Sequence, residues 1–170
     1  MSPALPERVD ASRMVQARRI FQGTLPLASL GRLRTSLAEA RGDVEYDLEF
    51  GKDELGIAFL AVRAAADLPL TCQRTLEVYN EPVKIDQRLG LVADESEEAA
   101  LPPGYEALLI PDGTLDPAAV IEDELILALP VVPMKPGAPL EWKDETSGAD
   151  EAEPATPFAA LASLRNKKTT

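Results

Sequence analysis

The chain has 170 residues, 45% of them apolar, with 17 Lys and Arg against 29 Asp and Glu and a formal net charge of −12. That size and balance fit one globular body whose core forms without staples or a structural metal. There is no histidine and one cysteine, Cys72, which excludes a Ser-His-Asp or Cys-His site, a His-ligated metal and an internal disulfide. So acidic a molecule is repelled by a smooth polyanion, so DNA is not expected as a partner and any nucleic-acid contact must be local. No apolar run reaches membrane-spanning length, and the first residues lack the basic head and apolar run of a secretory signal. With a lone thiol, this predicts a cytoplasmic protein without membrane contact.

The charge is uneven. Residues 1–41 carry seven cations and three anions, residues 42–92 five and ten, residues 93–164 two and sixteen, and residues 165–170 three and none. The basic head offers Arg13, Arg18, Arg19, Arg32, Arg34 and Arg41 as candidate phosphate contacts, although charges on a solvated helix face are the plainer reading. Asp10 to Arg19 reads as a short helix and Ile20 to Leu25 as an extended run. Ser29 to Ala40 reads as an amphipathic helix with Leu30, Leu33 and Leu37 on one face, closed by Gly42.

Val44, Tyr46, Leu48 and Phe50 alternate with Glu45, Asp47 and Glu49, the period of a strand with one wet face. A polar turn leads into Ile57 to Ala66, then to extended segments at Leu68 to Cys72 and Val83 to Val92, so the middle of the chain predicts an antiparallel meander. Asp94 to Ala100 reads as a short acidic helix, Tyr105 to Ile110 as extended, and Pro117 to Leu129 as a helix capped by Asp116 and stopped by Pro130.

The fold expected is α+β: an antiparallel sheet of at least four strands, open or barrel-like, packed with two or three helices and followed by a flexible acidic tail. Its core should include Leu30, Leu33, Leu37, Tyr46, Leu48, Phe50, Val83, Ile85, Ile121, Leu125 and Leu129. Residues 1–134 form the domain. Residues 135–156, poor in apolar side chains and rich in Pro, Gly and acids, are a disordered linker by composition. Residues 157–166 read as a short tail helix whose Phe158, Leu161 and Leu164 could dock on a partner or on the chain's own body.

Glu122, Asp123 and Glu124 raise the question of acid–base or metal chemistry. Neighbouring helical residues point about 100° apart, and acids near a helix start are favoured by its dipole anyway, so no catalytic residue is assigned. The scattered glycines form no phosphate loop or dinucleotide motif, and no cofactor or metal is expected.

Four blocks carry a resemblance. Leu70-Thr71-Cys72-Gln73-Arg74, Arg88-Leu89-Gly90-Leu91-Val92, Leu101-Pro102-Pro103-Gly104-Tyr105-Glu106 and Val120 through Glu122-Asp123-Glu124 to Pro130 and Pro133, with the tail Pro157 to Arg165, occur in the order found in the YceD family. The resemblance spans roughly residues 15 to 165. It implies a large ribosomal RNA subunit accumulation protein, linked to synthesis, processing or stability of 23S ribosomal RNA and to ribosome biogenesis rather than to a known reaction. Many members of that family carry Cys-x-x-Cys where this chain has Cys72 to Thr75, and a further Cys or His where it reads Met134-Lys135-Pro136-Gly137. A four-ligand metal site is therefore missing here, and metal is then not required for whatever the family shares.

The expected function is that of a non-catalytic ribosome biogenesis factor engaging the pre-ribosomal large subunit, either its RNA or a basic ribosomal or assembly protein. Eight aromatics and a net charge of −12 favour a protein partner on composition, whereas the resemblance favours RNA. Alternatives are an adaptor that recruits a partner through the tail helix, and a metal-dependent RNA-processing enzyme built on Glu122, Asp123 and Glu124.

Overall fold

The computed structural model describes residues 5–137. The expected tail helix at 157–166, with Phe158, Leu161 and Leu164, and the linker from residue 138 onward lie outside the described residues. Five strands form one sheet: β2 (Ile20–Pro26), β3 (Asp43–Lys52), β4 (Ala58–Thr71), β5 (Val78–Val92) and β6 (Glu106–Leu109), in the order β2-β3-β4-β5-β6. The first four are an antiparallel meander, and β6 lies parallel to β5. Among the described residues β2 and β6 each pair on one side only, so the sheet is open and the barrel-like alternative falls away. A two-residue pair, β1 (Val9–Asp10) with β7 (Thr114–Leu115), stands apart from it.

The alternation read in the sequence sets the two faces. Phe21 of β2, Val44, Tyr46, Leu48 and Phe50 of β3, Leu60, Val62, Leu68 and Leu70 of β4, and Tyr79, Val83, Ile85 and Leu89 of β5 are buried together. Their neighbours on the other face include Glu45, Asp47, Glu49, Arg63 and Asp86. Onto the buried face pack α1 (Ala11–Gln16) through Ala11 and Val15, the connection after β2 through Leu27, Leu30 and Leu33, and α2 (Pro117–Leu127) through Val120, Ile121 and Leu125. Burying side chains of this size contributes about 1.5–3 kcal/mol each.

Strand β4 is continuous through Pro69, and β5 begins at Val78, five residues before the expected Val83, and runs through Pro82. Both prolines sit where this hairpin projects beyond its neighbours: β3 reaches β4 only from Ala58 to Ala65, and β6 reaches β5 only from Leu89 to Val92. Each missing N–H therefore faces an unpaired side.

The expected helix at Ser29 to Ala40 does not form. Two 3-10 turns, Leu27–Ser29 and Leu33–Ser36, take its place, with Leu30 extended between them. The N–H groups of Arg32 and Leu33 bond to the Glu122 carboxylate at 2.6 and 3.0 Å, and Ala38 N–H bonds to Pro69 carbonyl at 2.8 Å. For Leu33 and Ala38, tertiary partners thus take donors that a helix would use internally, and Gly31 weakens the helix alternative by about 1 kcal/mol. Leu30 and Leu33 are buried as expected, but Leu37 is only partly buried.

Two helix readings also shift. Helix α2 is capped by Asp116, which accepts from Ala118 N and Ala119 N, but it ends at Leu127, leaving Leu129 half-buried and Leu127 exposed. The acidic segment after β5 is a 3-10 turn, Glu95–Ala100, rather than an α-helix. Among the described residues no helix is long and apolar enough to cross a membrane.

Candidate functional site

The acidic block of α2 splits three ways. Glu122 is buried and faces the connection after β2, where its carboxylate accepts from Arg32 N, Leu33 N and Arg32 Nε, the last at 3.0 Å. Burial pushes its carboxyl up, but the Leu33 and Arg32 N–H donors and the guanidinium outweigh burial and hold it below the usual range. Asp123 points outward and takes Arg32 Nη1, while Arg32 Nη2 reaches the Ala119 carbonyl at 3.3 Å. The hydrogen bonds to Asp123 and then Glu122, with the charges of both carboxylates, raise the pKa of Arg32 against the opposing effect of desolvation. Glu124 faces the opposite way, toward β5 and β6. The three carboxylates therefore diverge, so the geometry gives no support to a two-metal RNA-processing site, which needs them convergent.

Cys72 sits buried at the tip of the β4–β5 hairpin, in a turn closed by Leu76 N–H to Cys72 carbonyl and Cys72 N–H to Glu77 carbonyl, both 2.9 Å. The segment after α2 returns to this tip: Gln73 N–H donates to Pro133 carbonyl at 2.9 Å, Lys135 N–H donates to Cys72 Sγ at 3.3 Å, and Lys135 Nζ pairs with Glu77 at 3.1 Å. The Thr75 hydroxyl and the N–H groups of Lys135, Thr75 and Arg74 draw the thiol pKa down to about 6 against its burial. Thr75, three residues on, carries no thiolate, and its hydroxyl accepts from Glu77 N at 3.4 Å. Among the described residues no group of three or more Cys, Asp or Glu side chains is placed to hold a metal ion.

The sequence reading missed a third cluster. The Arg88 guanidinium lies 4.6 Å from the Phe59 ring centre and 5.8 Å from that of Tyr105, whose hydroxyl donates to Asp53 at 2.8 Å. Asp53 also accepts from Leu55 N and Ile57 N, each at 2.9 Å. Gly90, two residues on, lies so close to Leu101 that a Cβ there would meet its side chain at 2.6 Å. The Arg88-Leu89-Gly90 and Leu101-to-Tyr105 blocks are thus two halves of one contact, and a cation and an aromatic in separate blocks were the available signal.

The arginines of the basic head form two groups. Arg13 lies on α1, and Arg18 and Arg19 close it, with Arg18 N–H bonded to Val15 carbonyl and Arg19 N–H to Met14 carbonyl. The Arg19 guanidinium lies 5.4 Å from the Phe21 ring centre. Arg32 and Arg34 belong to the connection beyond β2, a strand about 20 Å long at seven residues. Arg32 is committed to Glu122 and Asp123, and Arg41 pairs with Glu39 at 3.2 Å. On the outer sheet face Arg63 stands within 3.7–3.8 Å of Asp47, Glu49 and Asp86.

The family model described as large ribosomal RNA subunit accumulation protein YceD matches residues 60–165. The chain belongs to the YceD family. A relative from Haemophilus influenzae, itself described as large ribosomal RNA subunit accumulation protein YceD, is 31% identical over 169 residues, covering 96% of this chain and 97% of the relative. No solved structure matches. Within the YceD match lie the hairpin tip with Cys72, the Arg88–Tyr105 contact and the Glu122–Glu124 block. The arginines of α1 precede the family-model match but fall within the span shared with the relative.

Proposed function

We propose that this chain acts without catalysis in the accumulation of large-subunit ribosomal RNA, as a cytoplasmic ribosome biogenesis factor that binds the pre-ribosomal large subunit. The observation that carries this reading is the near full-length match to a relative of that description. Arg13, Arg18 and Arg19 contact RNA phosphates, with Arg34 as an outlying contact, and the acidic remainder faces a basic ribosomal or assembly protein. Arg32 has no part in phosphate binding because its guanidinium holds α2 to the connection after β2. The hairpin tip, where Gln73 bonds to Pro133 and Cys72 to Lys135, keeps the segment after α2 in place, with Arg74 beside them in the chain.

The test replaces Arg13, Arg18, Arg19 and Arg34 with Glu and follows sedimentation of the tagged full chain with large-subunit precursors. Association should be lost while the melting temperature stays near that of the parent. In the parent, RNA affinity should fall with added salt at about 0.7 log units per log unit of salt for each phosphate contacted on a single strand. Unchanged association by the quadruple variant would remove the RNA half of the proposal.

A further inference from the structure

Glu122 and Glu124 are two residues apart on α2 and nearly equally buried, at 7% and 8% exposure, yet only Glu122 has partners. Glu124 lines a cleft of about 550 Å3 formed by the second half of α2, the middle of β5 and the start of β6, together with Lys84, Asp86, Gln87, Glu106 and Leu127. None of the hydrogen bonds or ion pairs of the described residues reaches its carboxylate, although oxygen atoms fully closed off from solvent are absent from it. Burial, then Glu106 and Asp123, press the carboxyl toward its neutral form.

A carboxylate withdrawn from water costs free energy unless a cation or donors meet it, and an apolar side chain would fill this site without that cost. At Glu122 the compensation is an arginine from within the chain. At Glu124 the same chemistry stands open to solvent, with Glu106 at the rim adding negative potential and the exposed Leu127 offering an apolar wall for an aliphatic stem. A planar guanidinium on a flexible stem suits two carboxylates beside an apolar wall. A divalent cation is less well served: Asp86 also lines the cleft, but among the described residues no three carboxylates are placed to hold an ion together.

We propose that the Glu106–Glu124 cleft receives an arginine side chain of a basic protein partner. The inference deepens the protein half of the proposed function and is independent of the RNA half.

The experiment follows the Glu124 side-chain carboxyl resonance of the 13C-labelled full chain during titration with acetyl-arginine amide, and with acetyl-citrulline amide as the uncharged isostere. The arginine probe should shift the resonance saturably and lower the apparent pKa of Glu124, and the citrulline probe should not. Binding should tighten as pH rises through the carboxyl range, because the probe selects the ionised form. Followed at the Glu106 carboxyl resonance, Glu124→Gln should weaken binding about tenfold or more, whereas Glu98→Gln, outside the cleft, should leave it unchanged. Should Glu124→Gln fail to fold, Glu106→Gln at the exposed rim carries the test, with binding weakened by about threefold.

Equal shifts with both probes, no shift at Glu124, or parental affinity in a folded Glu124→Gln variant would overturn the proposal. So would a stoichiometric response of Glu124 to MgCl2 with none to acetyl-arginine amide, which would make the cleft a metal site. None of these outcomes bears on ribosomal RNA association by the α1 arginines, so failure here and failure of the RNA reading are separable.

Discussion

Arg18 closes α1 with a left-handed backbone, φ +46°, where glycine is the usual choice. The conformation costs an L side chain about 1–2 kcal/mol, whereas glycine there gives up about 0.5–1 kcal/mol of chain entropy. Arg18→Gly should therefore stabilise the fold by roughly 0.5 kcal/mol in urea unfolding while weakening RNA association. Among the described residues Leu76, at φ +59° and 75% exposed, is the other non-glycine kept in this conformation, at the tip beside Cys72. The thiol itself predicts a pH effect. Its folded pKa, about 6, lies below the 9.0 of an ordinary thiol, so its contribution to stability is fully present above the unfolded value and is lost as pH falls toward 6. The stability difference between the parent and Cys72→Ser should grow from pH 6 to pH 9, and a flat difference across that window would mean that the sulfur is not held as a thiolate.

At the scale of elements, β3 and α2 were legible because their signals are local: strict alternation from Val44 to Phe50 in one, and Asp116-Pro117 with Pro130 in the other. The segment from Ser29 to Ala40 was not. Leucines at i, i+3 and i+7 mark a helix or a loop pinned from outside equally, and the pinning carboxylate lies 90 residues away from Arg32. The same distance hid the site: Glu122, Asp123 and Glu124 were visible as a motif, but their partners were not. Likewise nothing periodic announces that Tyr105 will bond to Asp53, 52 positions earlier. The latch makes a sharp prediction. Glu122→Ala should destabilise by roughly 2–3 kcal/mol, less than for a fully enclosed pair because Arg32 is half exposed. Asp123→Ala, which removes only an exposed contact, should cost under about 1 kcal/mol by the same measurement.

For the molecule as a whole, the sign of the charge governs behaviour in solution. A chain with net charge −12 repels itself when compact, so its melting temperature should rise as NaCl is increased from about 10 to 150 mM, over which the screening length falls from about 30 to 8 Å. RNA association by the α1 arginines should respond in the opposite sense, and calorimetry beside a binding titration would display both trends in one salt series.

The Arg32–Glu122 latch also bears on the order of events during translation. Its two ends are 90 residues apart, and chains emerge at about 5–20 residues per second. The connection after β2 must therefore wait roughly 5–20 s for its anchor, and until then Leu27, Leu30 and Leu33 have a growing sheet to cover but no carboxylate to fix them. The nascent chain thus passes through an interval in which its first four large strands can pair while one side of their core remains uncovered.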